Sequence, residues 1–379
     1  MILLKNGNVM TMTGTNYPTG DVLVEGRKIK AVGSQLKIPA DTQVIDCTGK
    51  TILPGFIDAH CHIGLSEDGT MYEGEDSNEA VNPVTPHVRA IDGINPADIA
   101  IREARLGGVT TVCVGPGNSN VFGGIMSIFK TRGTRIDDML IKETYAVKGA
   151  LGEGPKETYA PKKIMPMTRM GIAGLMRENL VNARTYLDKK ESGKIEAINL
   201  KYEALGRVLK GEIPLVVHAN RMDDIYTALR IKKEFRIDLV LTQAADAYLM
   251  ANVIREADVP VILAPVLCGR LSVEMANMSH HAPIVLEEAG VTYCISTDAP
   301  PVPIQFLPTS AASSVREGLT PEAALRAITI TPARVLGIAD QVGSLEVGKD
   351  ADIVVYDGSP FHLASRISLV MMDGEIITD

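Results

Sequence analysis

The sequence predicts an α/β protein: a (β/α)₈ TIM barrel carrying a small β-sandwich domain formed by the N- and C-terminal segments. Three observations point there. Between about Pro54 and Ala339, eight short β-rich runs alternate with segments of helical character. Those runs are dense in Val and Ile with little polar alternation, the pattern of parallel strands covered on both faces. Residues 1–53 and 343–379 instead show short strands and tight turns, and each end alone is too short to bury a sheet face. A chain of 379 residues has room for this division, with 54–342 as the barrel and the two ends as one composite domain. A doubly wound open sheet is the alternative arrangement of the same elements.

Taken in order, Val22, Val24, Ile29 and Val32 flank Glu25-Gly26-Arg27, which reads as a hairpin. The candidate barrel strands are Gly55–His60, Val109–Val114, Ile125–Thr131, Leu140–Val147, Ile213–His218, Asp238–Thr242, Val259–Ala264 and Val291–Ser296. Ile99–Leu106 reads as a helix stopped by Gly107-Gly108. Ala173, Met176, Leu180, Ala183 and Leu187 recur at helical steps and mark a second. Thr320 followed by Pro321 opens a third, in the cap and first-position arrangement. Ser66–Pro96 lacks periodicity and follows the first strand, so it is expected to lie over the barrel mouth. Asp352–Tyr356 and Leu369–Ile377 return to the β texture of the start.

Composition narrows the function. A net charge of −8 with no Lys/Arg stripe argues against nucleic acid. The five cysteines are scattered without paired spacing and read as reduced thiols. No signal-peptide core follows Met1, and no apolar run is long enough to span a bilayer. The expectations are a cytoplasmic protein with a small-molecule substrate, no nucleic-acid or membrane partner, and a homodimer as the default assembly.

The chemistry is sought at the strand C-termini, where barrel enzymes carry it. His60 and His62 end the first strand, and residues two apart on an extended chain share a face. His218 ends the fifth, Gln243 the sixth and Asp298 the eighth. Three imidazoles and a carboxylate suit a divalent metal, zinc first, with iron or manganese as alternatives. Asp298 is suited to bind the metal, to take a proton from water, or both. The fourth strand offers two candidates: Glu153, in a glycine-bounded turn and the favoured metal ligand, and Lys148 close to the strand end. Cys61 should point away from the two histidines and pack. His87, His280 and His281 fall in loops and are read as non-ligands. The glycines from Gly115 to Gly124 match no phosphate-binding pattern and read as turns. Tyr72, Glu73, Arg89, Arg132, Arg169 and Arg270 fall in loops expected at the mouth and are candidates to clasp a substrate carboxylate, although each arginine taken singly reads first as an ordinary surface residue.

With these residues in view, the chain resembles the metal-dependent amidohydrolase superfamily over nearly its whole length. Pro54-Gly55-Phe56-Ile57-Asp58-Ala59-His60-Cys61-His62 resembles the first-strand signature, and Gly343-Ser344-Leu345-Glu346-Val347-Gly348-Lys349-Asp350-Ala351-Asp352 the C-terminal return to the β domain. Residues 150–156, 167–173 and 303–308 are similar to imidazolonepropionase-related members. The resemblance implies His60, His62, His218 and Asp298 as metal ligands and Asp298 as general base. It also implies hydrolysis of a C–N bond in a small amide or cyclic amide. The chain departs from the family at Gln243, which stands where a sixth-strand histidine is usual, and the expectation is therefore one ion rather than two. A catalytically silent barrel used as a scaffold or binding protein, or a deaminase on the same fold, are the other readings.

Overall fold

The computed structural model describes residues 1–195 and 197–378. Its strands are β1 (Ile2–Val9), β2 (Tyr17–Glu25), β3 (Lys28–Gly33), β4 (Gln43–Asp46), β5 (Thr51–Pro54), β6 (Phe56–Cys61), β7 (Val109–Val114) and β8 (Phe122–Lys130). They continue as β9 (Leu140–Ala150), β10 (Leu215–His218), β11 (Leu239–Gln243), β12 (Val261–Leu263), β13 (Tyr293–Ile295), β14 (Ile353–Tyr356), β15 (Ile367–Met372) and β16 (Glu375–Ile376).

Strands β6 to β13 form one eight-stranded sheet in chain order. All eight expected strands are present within a few residues of their expected bounds. One expectation fails. β8 runs antiparallel to both β7 and β9, whereas β6–β7 and every pair from β9 to β13 are parallel. The cause is connection length. Only residues 115–121 join β7 to β8, too few for the dozen or more that a parallel crossover needs. The sheet is nearly closed. At the seam Ile57 N–H donates to the Ile328 carbonyl (2.9 Å) and Ile295 N–H to the Ala327 carbonyl (3.0 Å), so residues 327–328 bridge β6 and β13.

The helices follow their sequence signals. Asp98 caps Ile99–Leu106 by accepting from Ala100 N–H, and Gly107 ends it. Thr168 caps Arg169–Glu191, which buries Ile172, Ala173, Met176, Leu180, Ala183 and Tyr186. Thr320 caps Pro321–Arg326.

The two chain ends share a second sheet of order β16-β15-β14-β5-β1-β2-β3, with β4 also paired to β1. One edge of β1 is divided, its first half pairing β4 and its last two residues β5. Leu4, Val22, Val24, Ile29, Ile52, Ile353, Val355 and Met371 form its own buried cluster. β5 passes through Gly55 directly into β6, and a Cβ at Gly55 would lie 2.2 Å from Thr110 Oγ1. The two sheets are also tied by charge. Lys130, at the end of β8, meets Asp350 (2.7 Å), Asp352 (3.2 Å) and Asp373 (2.5 Å).

Candidate metal centre

His60 and Asp58 share the inward face of β6, and His62 continues that parity just beyond its end. Cys61 alternates outward and is fully buried, so it packs as expected. His60 Nδ1 lies 2.9 Å from Asp298 Oδ1, and His62 Nε2 lies 3.7 Å from the same oxygen. The two rings meet edge to face with centroids 5.0 Å apart. His60, His62 and Asp298 each offer a ligand atom, and these atoms lie within 4.8 Å of one another.

Hydrogen bonds set the tautomers. His62 Nδ1 faces the Gly115 carbonyl at 2.7 Å, and a carbonyl only accepts, so Nδ1 carries the proton and Nε2 keeps its lone pair. An ionised Asp298 imposes the same arrangement on His60. His60 Nε2 and His218 Nδ1 are then buried ring nitrogens without a hydrogen-bond partner among the described residues. Leaving such an atom unpaired costs about 1–3 kcal/mol, and a cation accounts for that donor set. The residues present therefore fit a divalent ion.

Electrostatics agree with this. Burial first, then the nearby Lys148 charge, lowers His60 to about 4 and His218 to about 3, so both are neutral donors at pH 7. Burial raises the Asp298 carboxyl, but the hydrogen bond from His60 Nδ1 and the adjoining imidazole of His62 outweigh it and hold the group below the ordinary carboxylate range. Lys148 is fully buried, and burial lowers it to about 8. Its Nζ donates to Asn118 Oδ1 at 2.6 Å.

The other predicted residues separate. Gln243 joins the group, donating from Nε2 to Asp298 Oδ2 at 2.7 Å. His218 is coupled electrostatically to Asp298, His60 and His62. Glu153 begins the helix Glu153–Tyr159, and its side chain is outside the three-residue cluster. The arginines are not gathered at the mouth. Arg132 follows the antiparallel β8 and so sits at the opposite end of the barrel, paired with Glu375. Arg89 pairs with Asp92 and Glu143, and Arg270 donates to the Ala276 and Met278 carbonyls. Arg169 is held by the buried Asp224 (2.9 Å) and Glu274. These two carboxylates crowd Gly152, where a Cβ would lie 2.5 Å from Glu274 Oε2 and φ is +84°.

Sequence reading passed over several residues. Asp58 is wholly buried and accepts from His60 N–H (3.1 Å), Thr297 N–H (3.0 Å), Thr297 Oγ1 (2.6 Å) and Ser296 Oγ, joining the first and eighth strands across the seam. Asn118 and the Gly115 carbonyl come from the glycine-rich loop, which the reversal of β8 brings to the mouth beside His62 and Lys148. Cys268 lies within electrostatic reach of Asp298. An Asp two residues before the first His of a His-X-His pair is a signal available in the sequence; the others depend on the path of β8 and the loops.

Residues 228–378 match the Amidohydrolase family model. A crystal structure of an amidohydrolase from Thermotoga maritima superposes with a TM-score of 0.97 at 40% identity, covering 100% of both chains. Amidohydrolase TasK of Hapsidospora irregularis is 29% identical over 94% of this chain, which spans only 39% of that longer protein. Imidazolonepropionase of Shouchella clausii is 25% identical, covering 95% of this chain and 86% of its own. The chain belongs to the amidohydrolase superfamily, among its imidazolonepropionase-related members.

Proposed function

We propose that the protein is a metal-dependent hydrolase of a C–N bond in a small amide or cyclic amide. The observation that carries this is the convergence of His60, His62 and Asp298 within 4.8 Å, beside two buried imidazole nitrogens without partners. His60, His62, His218 and Asp298 would hold one divalent ion, zinc by the character of the donors, with iron or manganese as alternatives. Such an ion supplies Lewis acidity and lowers the pKa of bound water to about 7. Asp298, held ionised, takes the proton from the attacking water and returns it to the leaving nitrogen. His62 is kept in the donating tautomer by Gly115, and Asp58 fixes the strand that presents both histidines.

For the fourth strand the electrostatics favour Lys148 over Glu153. An ammonium would repel a cation, but a buried lysine lowered to about 8 carries an appreciable neutral fraction near pH 7. A neutral amine adds carbon dioxide, with loss of one proton, to give a carbamate that offers oxygen donors. We assign Lys148 that role, and leave Glu153 outside the ligand set. Residues 1–53 with 343–379 form the composite β-sandwich domain of this reading, and 54–342 the TIM-barrel catalytic domain. The cytoplasm is the compartment that suits five free cysteines. Among the described residues no helix is long and apolar enough to cross a membrane.

The test is turnover of a panel of cyclic amides and N-acyl amino acids by zinc-loaded protein, scoring the carboxylate formed. Ring opening that falls about 10²–10⁴-fold in Asp298→Asn is expected. Ammonia release from cyclic amidines without a new carboxylate would replace this reading with deamination.

A further inference from the structure

We propose that Gln243 is a positioning residue for Asp298, turning the carboxylate toward the imidazoles without itself contributing a ligand. The inference rests on the metal-centre reading above and goes beyond it in assigning the sixth-strand position a role of its own.

The orientation of the Gln243 amide follows from a backbone group. Ala245 N–H, which only donates, meets Asn220 Oδ1 at 3.2 Å. Asn220 must therefore present its amide nitrogen elsewhere, and that nitrogen lies 3.4 Å from Gln243 Oε1. With Oε1 engaged there, Gln243 turns Nε2 to Asp298 Oδ2 at 2.7 Å, where a carboxylate oxygen accepts. The amide nitrogen has no lone pair to offer a cation, and the carbonyl oxygen that has one faces Asn220. Gln243 is thereby excluded as a ligand by the partners that hold it.

What it does is occupy one carboxylate oxygen. Asp298 Oδ2 is taken by Gln243, so Oδ1 is the atom left toward His60 Nδ1 (2.9 Å) and His62 Nε2 (3.7 Å). The relay runs Asn220–Gln243–Asp298–His60, from the fifth strand end through the sixth and eighth to the first. All four side chains are buried. The backbone is bent to permit it: Gln243 (φ 62°), Ala244 (φ 48°) and Asp298 (φ 58°) all occupy the left-handed region that non-glycine residues rarely adopt. Such conformations persist where surrounding contacts impose them, commonly at functional sites.

The experiment is zinc titration of chelator-stripped protein against a competing indicator, with elemental analysis for stoichiometry. Gln243→Leu should keep the wild-type stoichiometry while affinity falls about 10–100-fold, the range for losing a group that orients a ligand. Asn220→Asp leaves Gln243 in place but removes the donor that orients it, while still accepting from Ala245 N–H. It should weaken zinc in the same direction, and its effect should vanish in the Gln243→Leu background. Because Asn220→Asp tests the relay without altering Gln243, it decides the matter even if Gln243→Leu does not fold. Unchanged affinity in either variant, a lower stoichiometry in Gln243→Leu, or additive effects in the double variant would overturn the proposal. Wild-type protein that takes up no zinc would be the separate failure of the metal centre itself, and the positioning role would fall with it.

Discussion

Asp58→Ala should uncouple the seam of the barrel from its metal centre. The Asp58 carboxylate receives two backbone N–H groups and two hydroxyls, three of them at 3.1, 3.0 and 2.6 Å, and no part of it is exposed. A hydrogen bond to a charged group contributes about 1.5–3 kcal/mol. Four such bonds do not simply add. Burial raises the Asp58 carboxyl, so relief of its desolvation offsets part of the loss. Removing one side of a buried charged network costs about 3–5 kcal/mol, and that is the expected destabilisation. Asp58→Asn keeps one acceptor oxygen and should lose less, about 1–3 kcal/mol. Urea unfolding of the metal-free proteins measures both. Because the same carboxylate anchors the backbone of His60 and of Thr297, next to Asp298, zinc affinity should fall about 10–100-fold in parallel. A metal-free Asp58→Ala protein within about 1 kcal/mol of wild type would refute the reasoning, since solvated or interchangeable donors are what that result requires.

Three further outcomes are expected. Lys148→Met should weaken zinc at least about tenfold and abolish a dependence of zinc uptake on bicarbonate that wild type shows; equal uptake with and without bicarbonate in wild type would exclude the carbamate. Glu153→Gln should leave zinc uptake unchanged, and a comparable loss there would restore Glu153 as the ligand. Burial raises Asp352 from 3.8 to about 6 despite Lys130, so its protonated form is favoured in the folded state. The associated stability is fully present below about pH 4 and is lost as pH rises through about 6, amounting to about 3 kcal/mol at 1.36 kcal/mol per pH unit. The stability difference between wild type and Asp352→Asn should therefore shift in favour of the variant between pH 4 and 7, and a pH-independent difference would contradict the assignment.

Much of this molecule is legible in its sequence because its signals are local. Runs such as Leu215-Val216-Val217 are apolar enough to be read as covered strands, and Thr320 is a cap of the expected type. His60 and His62 could be paired because strand parity is a property of adjacent residues. The direction of β8 is different. Its apolar content resembles that of its parallel neighbours, and only the short 115–121 connection distinguishes it. Counting that connection would have found the reversal, and with it the misplacement of Arg132. The roles of Asn118, Asn220 and Arg169 lay beyond sequence reading, since each depends on a partner from a distant element. Lys148 shows the same limit: its place near a strand end was readable, but its complete burial was not.

Metal content is the most direct measurement. Protein stripped with chelator and reloaded with zinc at neutral pH should bind about one ion per chain, and His60→Ala should lose it. Wild-type protein that binds no zinc, iron or manganese under those conditions would contradict a metal-dependent centre at His60, His62, His218 and Asp298.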